Sequence, residues 1–339
     1  MKLNPASDPR KITEHIQLVD GFRNFGNHGS HYKEWMHFCV FSKDVNVLVN
    51  FSVVQERGRL KPRLTLLIER QELWLGDINP ADDAIIKPTQ VQFSANNCSL
   101  SFENGAFHIF GTIPEKKVTA RFRLRPLVPP VQTPSINAGN GNLKWLCVPR
   151  CAAEGYVSID NIIHHFDGAP GYHDHNWGNF EWSGNFSWRW GYFTFGHNLS
   201  VIVSRVLDEH GHQVISDSFI VSQDGNLNDF RGHKVTHLQR GLFQKSGSLT
   251  VPPITALAIK PNNVSIAREY EVIAADQENR LTLTYSPSSL ATIGMPSGER
   301  GTHISTISEL GCSASLTGTL RGININCTGT GILEITGRG

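Results

Sequence analysis

Between His164 and Tyr192 the chain gathers the groups best able to move protons and to stabilise positive charge. Four of its fifteen histidines lie between positions 164 and 175, and five of its seven tryptophans between 145 and 190. The densest stretch is Tyr172-His173-Asp174-His175-Asn176-Trp177-Gly178. Side chains alternate faces along an extended chain. A strand here would put Tyr172, Asp174 and Asn176 on one face, and His173, His175 and Trp177 on the other. A carboxyl group sunk among aromatic rings has its charged form disfavoured and keeps its proton. Such an acid donates a proton near neutral pH. Tyr172 is placed to orient it. Trp145, Trp188 and Trp190 offer π faces to a developing carbocation. These residues fit proton-initiated chemistry on an apolar, unsaturated molecule.

Each feature also has a purely structural reading. Asp174 can satisfy backbone N–H groups at a barrel corner. The tryptophans can be core, as Trp35 and Trp74 are read by default. His173 and His175 with His164 or His165 have the spacing of a three-histidine metal site, but no carboxylate ligand follows, so no metal is expected. There is no nucleophile elbow, P-loop or dinucleotide fingerprint, and the chemistry is read as needing no cofactor.

The elements that must carry these residues read as strands. Period-two alternation marks 45–53, 63–69, 71–75, 98–102, 106–111, 118–124, 200–206 and 213–221, then 270–274, 280–285, 322–327 and 331–337. Pro126 to Asn142 is rich in Pro, Gly and Asn and reads as a loop or lid edge. No sustained helical stripe is evident. The expected class is all-β, built of antiparallel barrels or sandwiches. Strand-rich blocks flank the motif, so two packed units are expected, residues 1–183 and 184–339, joined near Glu181 to Asn185.

The 339 residues are long enough to bury a core without staples. With 18% charged residues and a formal net charge of +1 there is no concentrated basic excess, and nucleic acid is excluded as a partner. No apolar run is long enough for a transmembrane helix. Met1 to Asp20 is polar and the six cysteines are scattered, so a cytoplasmic location with reduced thiols is expected. A monomer and a homodimer are equally compatible with the sequence.

The heptapeptide Tyr172 to Gly178 resembles the YHDHNWG signature of the carotenoid 1,2-hydratase (hydroxyneurosporene synthase) family and its lipocalin-like relatives, among them the fungal Diels-Alderase cyclases. Three shorter stretches resemble the family in the same order: Glu34-Trp35, Leu143-Lys144-Trp145, and Gly331 to Gly337. The resemblance implies two lipocalin-like units with a hydrophobic pocket, and maps the family's proton-donating carboxylate onto Asp174, beside Tyr172. Lys144 stands where the hydratases have histidine, which removes one candidate base. Met36 replaces the second tryptophan of the early element, and the chain ends in Arg338-Gly339 rather than an aromatic residue.

The expectation is therefore a cofactor-independent enzyme of specialised metabolism that hydrates or cyclises an isoprenoid or polyene. Its expected catalytic residues are Asp174, Tyr172, His173 and His175. Trp35, Trp145, Trp177, Trp188, Trp190, Tyr192, Asn176 and His164 are expected to contact substrate. The alternatives are a pericyclase, which needs shape and one hydrogen-bond donor, and a carrier of apolar ligands with no chemistry.

Overall fold

The computed structural model describes residues 8–23, 31–56, 59–138, 141–181, 186–208, 211–258, 265–297 and 303–338. Strands make up 70% of it and helix 7%, which places the chain in the all-β class. The chain divides into two compact units. The first comprises Met1–Arg70, Leu75–Asn137 and Gly141–Phe180; the second comprises Gln71–Trp74, Ala138–Asn140 and Glu181–Gly339. Residues 182–185, within the expected joint, lie outside the described residues. Each unit is organised on a curled antiparallel sheet that forms a half-barrel.

In the first sheet the strands are β1 Tyr32–Phe41, β2 Val45–Glu56, β3 Arg59–Arg70, β4 Leu73–Pro80, β5 Ile85–Ile86 and β6 Gln92–Ala95. They continue as β7 Cys98–Glu103, β8 Ala106–Ile113, β9 Val118–Pro126, β10 Val131–Gln132, β11 Ile136–Ala138, β12 Gly141–Ile159 and β13 Ile162–Asn179. Their order is β4-β3-β2-β1-β13-β12-β9-β8-β7-β6-β5, with β10 and β11 added to β12. The chain thus returns to insert its long β12–β13 hairpin against β1, and β13 lies in the middle of the sheet.

The second sheet begins with β14 Phe186–Phe195, β15 Leu199–Asp208, β16 Val214–Gln223, β17 Asn226–Arg231, β18 Val235–Arg240 and β19 Leu249–Val251. It ends with β20 Glu269–Ala275, β21 Arg280–Pro287, β22 Ala291–Ser297, β23 His303–Leu320 and β24 Ile323–Arg338. Here the order is β17-β16-β15-β14-β24-β23-β21-β20-β18. The terminal hairpin β23–β24 repeats the manner in which β12–β13 closes the first sheet.

Alternation decides which side chains enter each core. On β1 and β2, Met36, Phe38, Val40, Val47, Val49, Phe51 and Val53 join the first core cluster. Their sequence neighbours Trp35, His37, Cys39, Asn50 and Ser52 must therefore take the opposite face. The second unit has its own cluster, with Phe193, Val201, Val203, Phe219, Leu310 and Leu333 among its members.

Three expectations are corrected by the structure. A helix, α1 Pro9–Val19, forms where none was expected, with Asp8 as its N-cap accepting from the Arg10 N–H at 2.9 Å. Its buried stripe is only Ile12 and Ile16, too short to stand out as a pattern in a polar segment. The segment read as a loop from Pro126 to Asn142 contains β10 and β11; residues 139–140 lie outside the described residues. The stretches 322–327 and 331–337 are one strand, β24. Gly178 and Gly331 stand within continuous strands, at points where the neighbouring backbone comes too close for any side chain. At Gly178 a Cβ would lie 2.0 Å from the Asn142 carbonyl oxygen, and at Gly331 it would lie 2.2 Å from that of Tyr192. Gly178→Ala must therefore push β12 away from β13. It is expected to destabilise the protein by about 1–3 kcal/mol, the usual cost of overpacking, read as a lower urea midpoint with unchanged slope.

Candidate active site

The site is assembled by register. In the pairing of β1 with β13, Trp35 opposes Asn176, His37 opposes Asp174, and Cys39 opposes Tyr172. On the other side of β13, β12 sets Trp145 against Asn176 and Cys147 against Asp174. Opposed residues share a face, so one surface of three adjacent strands carries Trp35, His37, Cys39, Tyr172, Asp174, Asn176, Trp145 and Cys147. Tyr172, Asp174, Asn176, Trp145 and His37 on it are buried.

Asp174 is held at both oxygens. The Tyr172 hydroxyl donates to its Oδ2 at 2.9 Å, and the Asn176 amide donates to its Oδ1 at 2.6 Å. Burial first, and then the neighbouring Asp174 carboxyl, push the Tyr172 phenol well above its ordinary range, so it keeps its proton and acts as donor. The carboxyl plane is thereby fixed, with two tryptophans flanking the next rung. His37 places its Nε2 3.0 Å from Cys39 Sγ. Burial, reinforced by the nearby His173, lowers His37 to about 3, so the ring is neutral across the physiological range.

His173 and His175 turn the other way, into the core side. There they form a chain of hydrogen bonds with two carboxyl groups that are distant in sequence. Asp20, the C-cap residue of α1, approaches His173 Nε2 and His175 Nδ1, each at 2.9 Å. His175 Nε2 faces Glu34 Oε1 at 2.7 Å, and the Tyr32 hydroxyl donates to Glu34 Oε2 at 2.7 Å. His173 Nδ1 lies 3.0 Å from the His37 carbonyl oxygen, a contact that requires Nδ1 to carry the proton. Phe38 stacks on His173 with centroids 4.2 Å apart. Both imidazoles have 0% side-chain exposure. Their nitrogens are directed at separate carboxyl oxygens and a carbonyl, and they bolt α1 and β1 to β13.

The charges of this network follow from competition between burial and pairing. Burial raises Asp20, but the charges of and hydrogen bonds from His173 and His175 outweigh it and hold the carboxyl at about 2. Burial lowers His175, and its hydrogen bonds to Asp20 and Glu34 outweigh that, leaving it above its ordinary 6.5. Asp20, depressed from 3.8, stabilises the fold above that value and loses the contribution as pH falls towards 2. His175, shifted upward, contributes fully below 6.5 and loses the contribution as pH rises through its folded value. The melting temperature is expected to peak between about pH 4 and pH 6.5 and to fall on both sides. Circular dichroism melts from pH 2 to pH 10 check this; a profile without an alkaline limb would remove the charged His175.

The remaining sequence candidates separate. Trp177 lies on the histidine face, with its ring 4.7 Å from His175 and the Arg23 guanidinium 3.9 Å over it. His164 opposes Val157 near the far end of β13, nine residues from His173, which is about 30 Å of strand. It is not part of this cluster. Lys144 opposes Trp177 on the face away from Asp174 and is exposed, so a base at that position would not reach Asp174. Trp188, Trp190 and Tyr192 belong to β14 in the second unit. There Trp188 Nε1 donates to Glu334 Oε1, and Trp190 opposes Glu334. Glu334 opposes Glu309 on β23 and is hydrogen-bonded to it. Burial raises Glu334 above the ordinary carboxyl range, against the lowering effect of the Trp188 and Glu309 hydrogen bonds.

Sequence reasoning did not find Asp20, Glu34, Tyr32, His37, Glu309 or the role of Glu334. Glu34 and Glu334 each lie inside a short stretch that resembles the hydratase family, the one signal that pointed at them. Asp20 carries no local signal, because His173 and His175 are more than a hundred residues away, and His37 meets Asp174 only through the pairing of β1 with β13.

The fold and the buried carboxyl face define an all-β protein of lipocalin-like architecture. In structure it is similar to an AttH protein of Nitrosomonas europaea, with a TM-score of 0.65 at 12% identity over 95% of this chain and 99% of that one. It is also similar to kievitone hydratase of Nectria haematococca, with a TM-score of 0.59 at 11% identity over 92% and 90%. A third similar structure is CghA, with a TM-score of 0.61 at 12% identity over 94% of both chains. No protein-family model and no curated protein sequence matches the chain. Among the described residues no helix is long and apolar enough to cross a membrane.

Proposed function

We propose that this chain is an enzyme that protonates a hydrophobic, unsaturated small molecule from Asp174, and that it completes the reaction by adding water or closing a ring. The observation that carries the reading is the Asp174 carboxyl. It is buried, oriented at both oxygens by Tyr172 and Asn176, and bordered on one face by Trp35 and Trp145. Burying a polar cluster of this kind costs free energy that an apolar carrier has no need to spend. The π faces supply stabilisation to a cation formed beside the carboxyl. The shared fold with a protein named as a hydratase supports the first of these outcomes, the addition of water. Isoprenoids and polyenes are the substrate class that this chemistry takes.

In this proposal Asp174 and Tyr172 are catalytic, and Asn176, Trp35 and Trp145 bind and orient the substrate. His173 and His175 serve as positioning residues that fix β13 from its other face. The test is mass spectrometry of organic extracts from cells with and without the protein, grown beside its neighbouring biosynthetic genes. A product heavier by one water, or one of unchanged mass and new retention, supports the reading. A ligand recovered intact at one equivalent, with no new product, makes the chain a carrier.

A further inference from the structure

The row of residues through Asp174 extends beyond the acid. On β2, Asn50 opposes His37, and His37 opposes Asp174 on β13. An amide, an imidazole and a carboxyl therefore stand side by side on one face of three adjacent strands. Directly opposed Cβ atoms are about 5 Å apart, so one water molecule can touch two neighbouring heads at once. The Asn50 Oδ1 atom is buried and has no hydrogen-bond partner in the structure. A buried acceptor in that condition costs free energy unless a water or ligand satisfies it. Cys39 Sγ lies 3.0 Å from His37 Nε2 and is a weak hydrogen-bond partner in either direction.

We propose that His37 is the catalytic base of this site and that Asn50 Oδ1 orients the water on which it acts; this rests on the proton-transfer function proposed above. The alkene π pair takes the proton of the Asp174 carboxyl, leaving a carbocation and a carboxylate. Water then forms the C–O bond as one of its protons passes to the neutral His37 ring. Return of that proton from His37 to the Asp174 carboxylate resets both groups, so the sum is substrate plus water giving alcohol. In a cyclising enzyme the same ring takes the proton from the final cation. Position 144 cannot supply this base, because it lies on the other face.

Two measurements test the inference. Nitrogen-edited NMR of the histidine rings in the full chain, assigned with His37→Gln, is expected to show His37 singly protonated from pH 5 to pH 8. A doubly protonated His37 at pH 7 overturns the role. The purified chain is then incubated with all-trans-farnesol in deuterated buffer, and both products and recovered farnesol are analysed by mass spectrometry. His37→Gln and Asn50→Leu are expected to lose hydrated product on the order of 100-fold, the usual size of a general-base effect, while deuterium still enters recovered farnesol. Asp174→Asn is expected to lose both signals. Hydration by His37→Gln at the wild-type rate overturns the inference and leaves the proposed function standing. A wild type that neither hydrates nor labels farnesol counts against the proposed function, and the ring titration then judges His37 by itself.

Discussion

Asp20→Ala is expected to lower stability by about 3–5 kcal/mol, the cost of removing one partner from a buried ion pair. The size follows from what the carboxylate leaves behind. His173 Nε2 and His175 Nδ1 both face Asp20 at 2.9 Å, and neither side chain has access to solvent. Without the carboxylate, His175 must either keep a charge balanced by Glu34 alone or give up its proton against the hydrogen-bonding pattern around it. The same substitution detaches the C-terminal end of α1 from β13. A urea titration of the folded chain reads the effect directly, and Asp20→Asn, which keeps the shape and loses the charge, is expected to fall between the two. A loss below 1 kcal/mol for Asp20→Ala would show that the network does not bear on the fold.

Asp174→Asn is expected to lower turnover by about 100-fold to 10,000-fold while leaving the melting temperature close to wild type, because asparagine keeps the shape of the carboxyl but cannot act as the acid. Its amide can still meet Tyr172 and Asn176, so packing on this face survives. The contrast with Asp20→Ala is the informative part. Asp174 sits on one face of this strand region and Asp20, with Glu34, packs on the other; stability is assigned to Asp20 and chemistry to Asp174. A pericyclase, which requires shape and a donor, would tolerate Asp174→Asn and would instead suffer from truncation of Trp35 or Trp145.

The all-β class and the two faces of residues 172–177 were legible in the sequence because alternation with period two is a local property. Asp174 beside Tyr172 and Asn176 followed from that alternation alone. What alternation cannot supply is the identity of the strand alongside. His37 and Asn50 meet Asp174 only because β13 inserts against β1, and Asp20 reaches His173 across 153 positions. Alternation also put Trp177 on the face opposite Asp174, where the structure has it beside His175, whereas His164 opposes Val157 far along the strand. Trp188 and Trp190 lie on β14, in the second unit as the expected boundary had placed them. The helix α1 escaped notice because two isoleucines make a weak stripe, and β24 was read as two strands because Thr328-Gly329-Thr330 interrupts its apolar alternation.

The central claim is that a proton passes from Asp174 to carbon. Its most direct test is to run the wild-type reaction in deuterated water on the substrate identified from cell extracts and to locate the label by mass spectrometry and NMR. One deuterium at the carbon that lost the double bond, absent with Asp174→Asn, is the predicted result. A product formed at full rate with no deuterium on carbon would contradict the account, because no proton would have been delivered.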